Sequence, residues 1–160
     1  MALLFRLFLF IILLVSSPML SMAKGIKYNH NSKTISEIKK DVDFTLLTPK
    51  KIPNDWTLDT KTSSWIMLHY MNNKDTKLMV AIHETRGFPL SNDDFPNAQQ
   101  IEINGSKGYF QEWADRGKSD IKGDTINGGL LNWVQDGTYV EMSSSRLAKE
   151  KLLEIARSMK

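Results

Sequence analysis

Three histidines, eight methionines and no cysteine bound the chemistry open to this 160-residue chain. Without cysteine there is no thiol nucleophile, no thiolate metal site and no disulfide, so stability has to come from packing. His69 and His83 sit inside apolar runs, and Met67, Met71 and, past a turn, Met79 surround the first of them. Imidazole and thioether favour soft monovalent copper, which makes His69, Met67, Met71 and Met79 candidate copper(I) ligands. Packing is the better reading, because unbranched methionine fills gaps beneath whatever covers it. No cofactor is expected.

Hydrolytic chemistry finds no support either. There is no G-x-S-x-G elbow and no H-E-x-x-H helix, so no catalytic residue is assigned and a non-enzymatic role is expected. Asp93-Asp94 and the series Asp115, Asp120, Asp124 miss the calcium-loop spacing and read as solvated turn formers. Asn104-Gly105-Ser106 fits a glycosylation acceptor but overlaps a tight turn.

Ser64–Asn72 and Lys77–Arg86 read as strands joined by the turn Asn72-Asn73-Lys74-Asp75. Pairing 70 with 78, 68 with 80 and 66 with 82 puts Ile66, Leu68, Tyr70, Leu78, Val80 and Ile82 on a core face. Trp65, Met67, His69, Met71, Met79, Ala81 and His83 then share the other face, too apolar to stand bare in water. In that register His83 lies ~13 Å from His69 along the strand, so the two cannot share a metal. Either a helix or curved sheet buries this face, or part of it lines a cleft with Phe88, Leu90 and Phe95 from the next loop. The candidate ligand-binding residues are therefore Trp65, Met67, His69, His83, Phe88, Leu90 and Phe95.

Thr34 with Glu37 makes a capping-box pattern ahead of Ile35, Ile38 and Val42, which predicts a short amphipathic helix over Ile35–Val42. Pro49 and Pro53 mark a loop before the strand Trp56–Lys61. Asn104-Gly105 and Asp136-Gly137 are strong hairpin signals; the second sets Trp133 opposite Val140 and Leu131 opposite Met142, with Asn132 and Glu141 on the other face. Ala148, Leu152, Ile155, Ala156 and Met159 form one apolar stripe, predicting a helix over Leu147–Met159 with Ser145 as its N-cap. The uncommitted loops are Gly87–Asn97 and Asp115–Asn127, where function would sit. The fold class is α+β: a twisted antiparallel sheet of about six to eight strands, a C-terminal amphipathic helix on one face and a short N-terminal helix.

At the N-terminus, Leu3–Val15 is apolar apart from Arg6, and Ser21-Met22-Ala23 supplies small residues before Lys24. That layout reads as a signal peptide over 1–23, too short in its uninterrupted part to span a bilayer. Residues 24–33 read as a flexible leader and 34–160 as a single domain. Arg6 is the only charge in the first segment, so the rest stays near neutral, and acidic neighbours break up Lys39-Lys40 and Lys50-Lys51. No nucleic-acid surface is expected.

FTLLTPKKIP at 44–53 with Trp56-Thr57-Leu58, Ile103-Asn104-Gly105 with Gly108-Tyr109, and Leu131-Asn132-Trp133 through Asp136-Gly137, Tyr139 and the closing helix occur in a telling order. Together, over about Phe44 to Met159, they resemble the bacterial family called domain of unknown function 4367. The resemblance implies an extracytoplasmic domain, sometimes tethered behind one membrane helix, and supplies no catalytic residues. This chain is expected to depart from tethered versions by having its own signal and no anchoring helix. The expected role is an exported, secreted or cell-envelope binding or sensing module for a protein segment, envelope component or apolar ligand. The alternative is a structural or envelope-assembly protein without a small-molecule ligand.

Overall fold

Tight turns organise the sheet of the computed structural model, which describes residues 25–29 and 31–160; the predicted signal segment and His30 lie outside these residues. Asn104 and Gly105 take φ of 51° and 80°, and Asp136 and Gly137 take 50° and 79°. Both pairs have the positive φ of a type I′ turn, whose twist matches that of its flanking strands. The strands are β1 (Lys27–Tyr28), β2 (Thr57–Thr62), β3 (Ile66–Met71), β4 (Leu78–Arg86), β5 (Gln99–Ile103), β6 (Ser106–Glu112), β7 (Gly129–Gln135) and β8 (Thr138–Ser144). The helices are α1 (Ile35–Asp41) and α2 (Lys149–Arg157).

All eight strands form one sheet in the order β1-β2-β3-β4-β8-β7-β6-β5. Its pairs are antiparallel except β1 with β2, which is parallel, so the sheet is mixed rather than purely antiparallel. The parallel strand comes from the segment expected to be a flexible leader. Tyr28 lies opposite Leu58, its hydroxyl accepts the Ile35 N–H at 3.1 Å, and Ser32 Oγ accepts the Thr60 N–H at 3.0 Å. The open edge of β2 thus recruits residues that have no periodicity of their own.

The β3/β4 hairpin differs from the expected register by two residues. Ile66 pairs with Glu84, Leu68 with Ile82 and Tyr70 with Val80, after which Met71 pairs with Leu78. That jump leaves Met79 as the extra residue of a bulge. The turn closes on Asn72, whose N–H donates to the Lys77 carbonyl while its Oδ1 accepts the Thr76 and Lys77 N–H groups. A shift of two preserves the facing of every side chain ahead of the bulge. Leu78, beyond it, is 40% exposed instead of in the core, and Glu84 enters the core fully buried.

One face of the sheet carries the core and both helices. Ile38 of α1, Leu46 and Leu47, and Leu152, Ile155 and Ala156 of α2 pack with Leu68, Val80, Ile82, Leu131, Trp133 and Met142. Each of the larger aliphatic side chains contributes roughly 1.5–3 kcal/mol by leaving water. The predicted pairs Trp133–Val140, Leu131–Met142 and Asn132–Glu141 are in place. The Thr34 box is also formed, with Glu37 Oε2 accepting the Thr34 N–H at 2.7 Å and Thr34 Oγ1 accepting the Glu37 N–H at 3.3 Å. Helix α2 is shorter than expected and its N-cap is Ala148, not Ser145. Ser144 closes the approach instead, its Oγ accepting the Arg146 and Leu147 N–H groups and donating to the Met79 carbonyl.

Candidate functional site

Because the core and both helices take one face, the period-2 partners of the core residues emerge on the other. Neither α1 nor α2 covers that face, so of the two expected covers, a helix or a curved sheet, the α-helix is not the one in place. Two rows cross it. Asp59, His69, Ala81, Ser143 and Leu130 pair in succession along the first, and Lys61, Met67, His83, Glu141, Asn132 and Tyr109 along the second.

The bulge and its register bring together two residues that the sequence reading kept apart. His69 Nε2 lies 3.2 Å from His83 Nε2, with ring centroids 5.4 Å apart. With His69 opposite Ala81 rather than Met79, His83 is a diagonal neighbour of His69 and not four residues removed. Glu141 Oε1 stands 3.4 Å from His83 Nδ1 on the far side of that ring. Burial, and then the neighbouring His83, holds the His69 imidazole below its ordinary range. Met67 sits directly opposite His83, whereas Met79 borders a different depression with Trp113 and Arg146 and does not join the histidines.

From the histidines an aromatic strip runs towards the β4–β5 connection. Trp65 meets His83 edge-on at 6.5 Å and Tyr139 edge-on at 5.6 Å, and Phe88 stacks on Tyr139 at 4.6 Å. Tyr139 donates to Asn132 Oδ1 at 2.8 Å, and burial pushes its phenol up to about 12, so it is a neutral donor at ordinary pH.

The Gly87–Asn97 loop is held over the face by particular residues. The Gly87 N–H donates to the Gly137 carbonyl at 2.7 Å, so close that a Cβ on Gly87 would stand 2.8 Å from that oxygen. Asn92 Oδ1 accepts from Lys107 Nζ at 2.8 Å and from the Tyr109 hydroxyl at 2.9 Å, and Phe95 stacks on Tyr109 at 4.7 Å. Between loop and sheet an open cleft of about 410 Å³ is lined by Gly87, Phe88, Pro89, Leu90, Ser106, Lys107, Tyr109, Val134 and Gly137. Its walls are largely apolar with one cation, Lys107, and Phe88 leaves 47% of its surface in water.

Of the seven predicted ligand-binding residues, Phe88 and Leu90 line this cleft. Phe95 packs on Tyr109, and Trp65, Met67, His69 and His83 form the adjoining patch, part-buried. Tyr139, Glu141 and Lys107 also belong to the site and are not among the predicted ligand-binding residues. The Leu131–Met142 hairpin register already placed Glu141 on this face, which is the signal that could have found it.

The loop 115–127, the other place where function was expected, is a charge-clamped turn. Asp124 accepts from Lys77 Nζ at 2.7 Å and from Arg146 Nη1 at 2.5 Å, and Asp120 Oδ1 accepts the Lys122 and Asp124 N–H groups. Asp124 is thus ion-paired where free solvation was expected. Among the described residues no three His, Cys, Asp or Glu side chains converge on a metal position, and no helix is long and apolar enough to cross a membrane.

A comparison with protein families matches residues 46–159, more than two thirds of the chain, to the family described as Domain of unknown function (DUF4367). No curated protein and no solved structure matches the chain.

Proposed function

The chain belongs to the DUF4367 family, and from that premise we propose that it is an exported, non-enzymatic binding or sensing module whose ligand sits on the helix-free face of the sheet. The observation that carries this reading is the aromatic strip from His83 through Trp65 and Tyr139 to Phe88, ending in an open apolar cleft. A half-exposed phenylalanine stacked on a buried tyrosine is a preordered apolar anchor, which binds with little loss of side-chain freedom. Lys107 at the wall favours an apolar group that carries an anionic end. Export is supported by the layout of residues 1–23.

Anilinonaphthalene sulfonate, an apolar ring system bearing an anion, is the probe that matches this chemistry. Saturable enhancement of its fluorescence is expected with the wild-type chain, weakened about tenfold or more in Phe88→Ala, since an anchoring phenylalanine is worth roughly 1.5–3 kcal/mol. Equal affinity in wild type and Phe88→Ala would remove the cleft from consideration. Export is checked separately by sequencing the N-terminus of the chain recovered from its native cell; a start at Lys24 is expected, and an intact Met1 in the cytosolic fraction contradicts it.

A further inference from the structure

We propose that His69 and His83, with Met67 beside them, form a binding site for a soft monovalent cation, copper(I). The two imidazoles meet head-on, because a separation of 3.2 Å between the Nε2 atoms with centroids at 5.4 Å leaves the nitrogens on the line joining the rings. Two nitrogens so placed need something between them, either a proton or a metal, since two facing lone pairs repel. Monovalent copper and silver readily accept two imidazoles in a linear array. Metal–imidazole bonds of ~2 Å, the length found for zinc, would set the nitrogens just under ~4 Å apart, an opening of less than ~1 Å for two part-exposed side chains. Ala81, opposite His69, is too small to obstruct that movement.

The surroundings fit the same ion. Glu141 Oε1 lies 3.4 Å from His83 Nδ1, on the side where a carboxylate orients a ligating imidazole whose Nε2 faces the metal. Met67, the cross-strand partner of His83, is within a pair's reach on the same face and supplies a thioether. Asp59 pairs with His69, Glu141 with His83 and Lys61 with Met67, so the charges flanking the site sum to minus one, the complement of a monovalent cation. The register with Leu68 opposite Val80 would hold the two histidines apart; the observed register, with Leu68 opposite Ile82, brings them together. None of these residues lines the cleft, although His83 also begins the aromatic strip that leads to it, so copper(I) uptake and probe binding are read separately.

The purified chain is titrated with copper(I), kept reduced by ascorbate, against a coloured copper(I) chelator, and with silver(I) as a redox-silent substitute. One equivalent should be withdrawn from the chelator by wild type, none by His69→Ala or His83→Ala, and with affinity lowered about 10- to 100-fold in Glu141→Gln, where only the orienting carboxylate changes. Met67→Leu should weaken copper(I) while leaving the circular dichroism spectrum unchanged. Silver(I) added to wild type, with no mutation to disturb folding, should shift the ring signals of two histidines and leave His30 alone. The site is refuted if the chelator keeps all the copper, if either histidine variant takes up as much as wild type, if zinc(II) binds in preference, or if the His30 ring is the one that moves.

Discussion

Replacing Glu84 with glutamine should abolish a pH dependence of stability built into the core. Glu84 is fully buried; its Oε2 accepts the Leu47 N–H at 2.9 Å, and its Oε1 has no partner among the described residues. Burial pushes the carboxyl from 4.5 up to about 8, against the smaller opposing effects of the Leu47 N–H and Lys39. A carboxyl with a raised folded-state pKa binds its proton more tightly when folded, so its contribution is complete below about pH 4.5 and is lost as pH rises through about 8. At about 1.4 kcal/mol per pH unit across that window the loss has a ceiling of ~5 kcal/mol, lowered by any relaxation or water entry in the folded state. Glutamine keeps an acceptor for the Leu47 N–H and cannot ionise.

Urea unfolding followed by tryptophan fluorescence near pH 5 and near pH 9 measures the effect, and the difference between the two proteins cancels every other titrating group. The variant should match wild type to about 1 kcal/mol at the lower pH and exceed it by ~2–5 kcal/mol at the higher. Parallel pH profiles for the two proteins, or a wild type that gains on the variant as pH rises, would refute the reasoning.

Other substitutions test the frame around the site. Gly128→Ala should cost more than about 2 kcal/mol, because φ is +70° and the new Cβ would stand 2.2 Å from the Leu147 carbonyl oxygen; an unchanged melting temperature would contradict this. Leu68→Ala should lose about 2–5 kcal/mol in urea unfolding from the fully buried core, while Phe88→Ala on the open face should lose less than about 1 kcal/mol; equal losses would place Phe88 in the core. Asp124→Asn weakens the grip of Lys77 and Arg146 on the 115–127 loop, so tryptic cleavage at Lys118 and Lys122 should accelerate; unchanged cleavage would show the clamp to be idle.

Local chemistry made much of this architecture readable. Asn104-Gly105 and Asp136-Gly137 specify their turns because few other pairs accept positive φ twice, and the second turn fixes the β7/β8 register without reference to the rest of the chain. The Thr34–Glu37 box is similarly self-contained. What failed depended on partners distant in sequence. Lys27–Tyr28 becomes a strand only because β2 offers an edge, and Ala148 begins α2 where the Ser144 hydroxyl, anchored on the distant Met79 carbonyl, closes the turn before it. The bulge at Met79 has no residue signature, yet together with the turn that pairs Met71 with Leu78 it decides that His69 faces Ala81 and not Met79, and hence that the two histidines meet. Parity could have flagged Glu84, the one charge in the inward series Val80, Ile82, Glu84. The apolar outer face was legible from alternation, whereas its merger with the Phe88 loop needed the Gly87–Gly137 contact between segments 50 residues apart.

The amide chemical-shift map of the chain on addition of anilinonaphthalene sulfonate tests most directly that the helix-free face is the binding face. Shifts concentrated at Phe88, Leu90, Lys107, Tyr109, Val134 and Gly137, with α1 and α2 still, are the predicted result. Shifts gathered instead on α1 or the 48–54 loop, or spread without pattern at every concentration of probe, would contradict it.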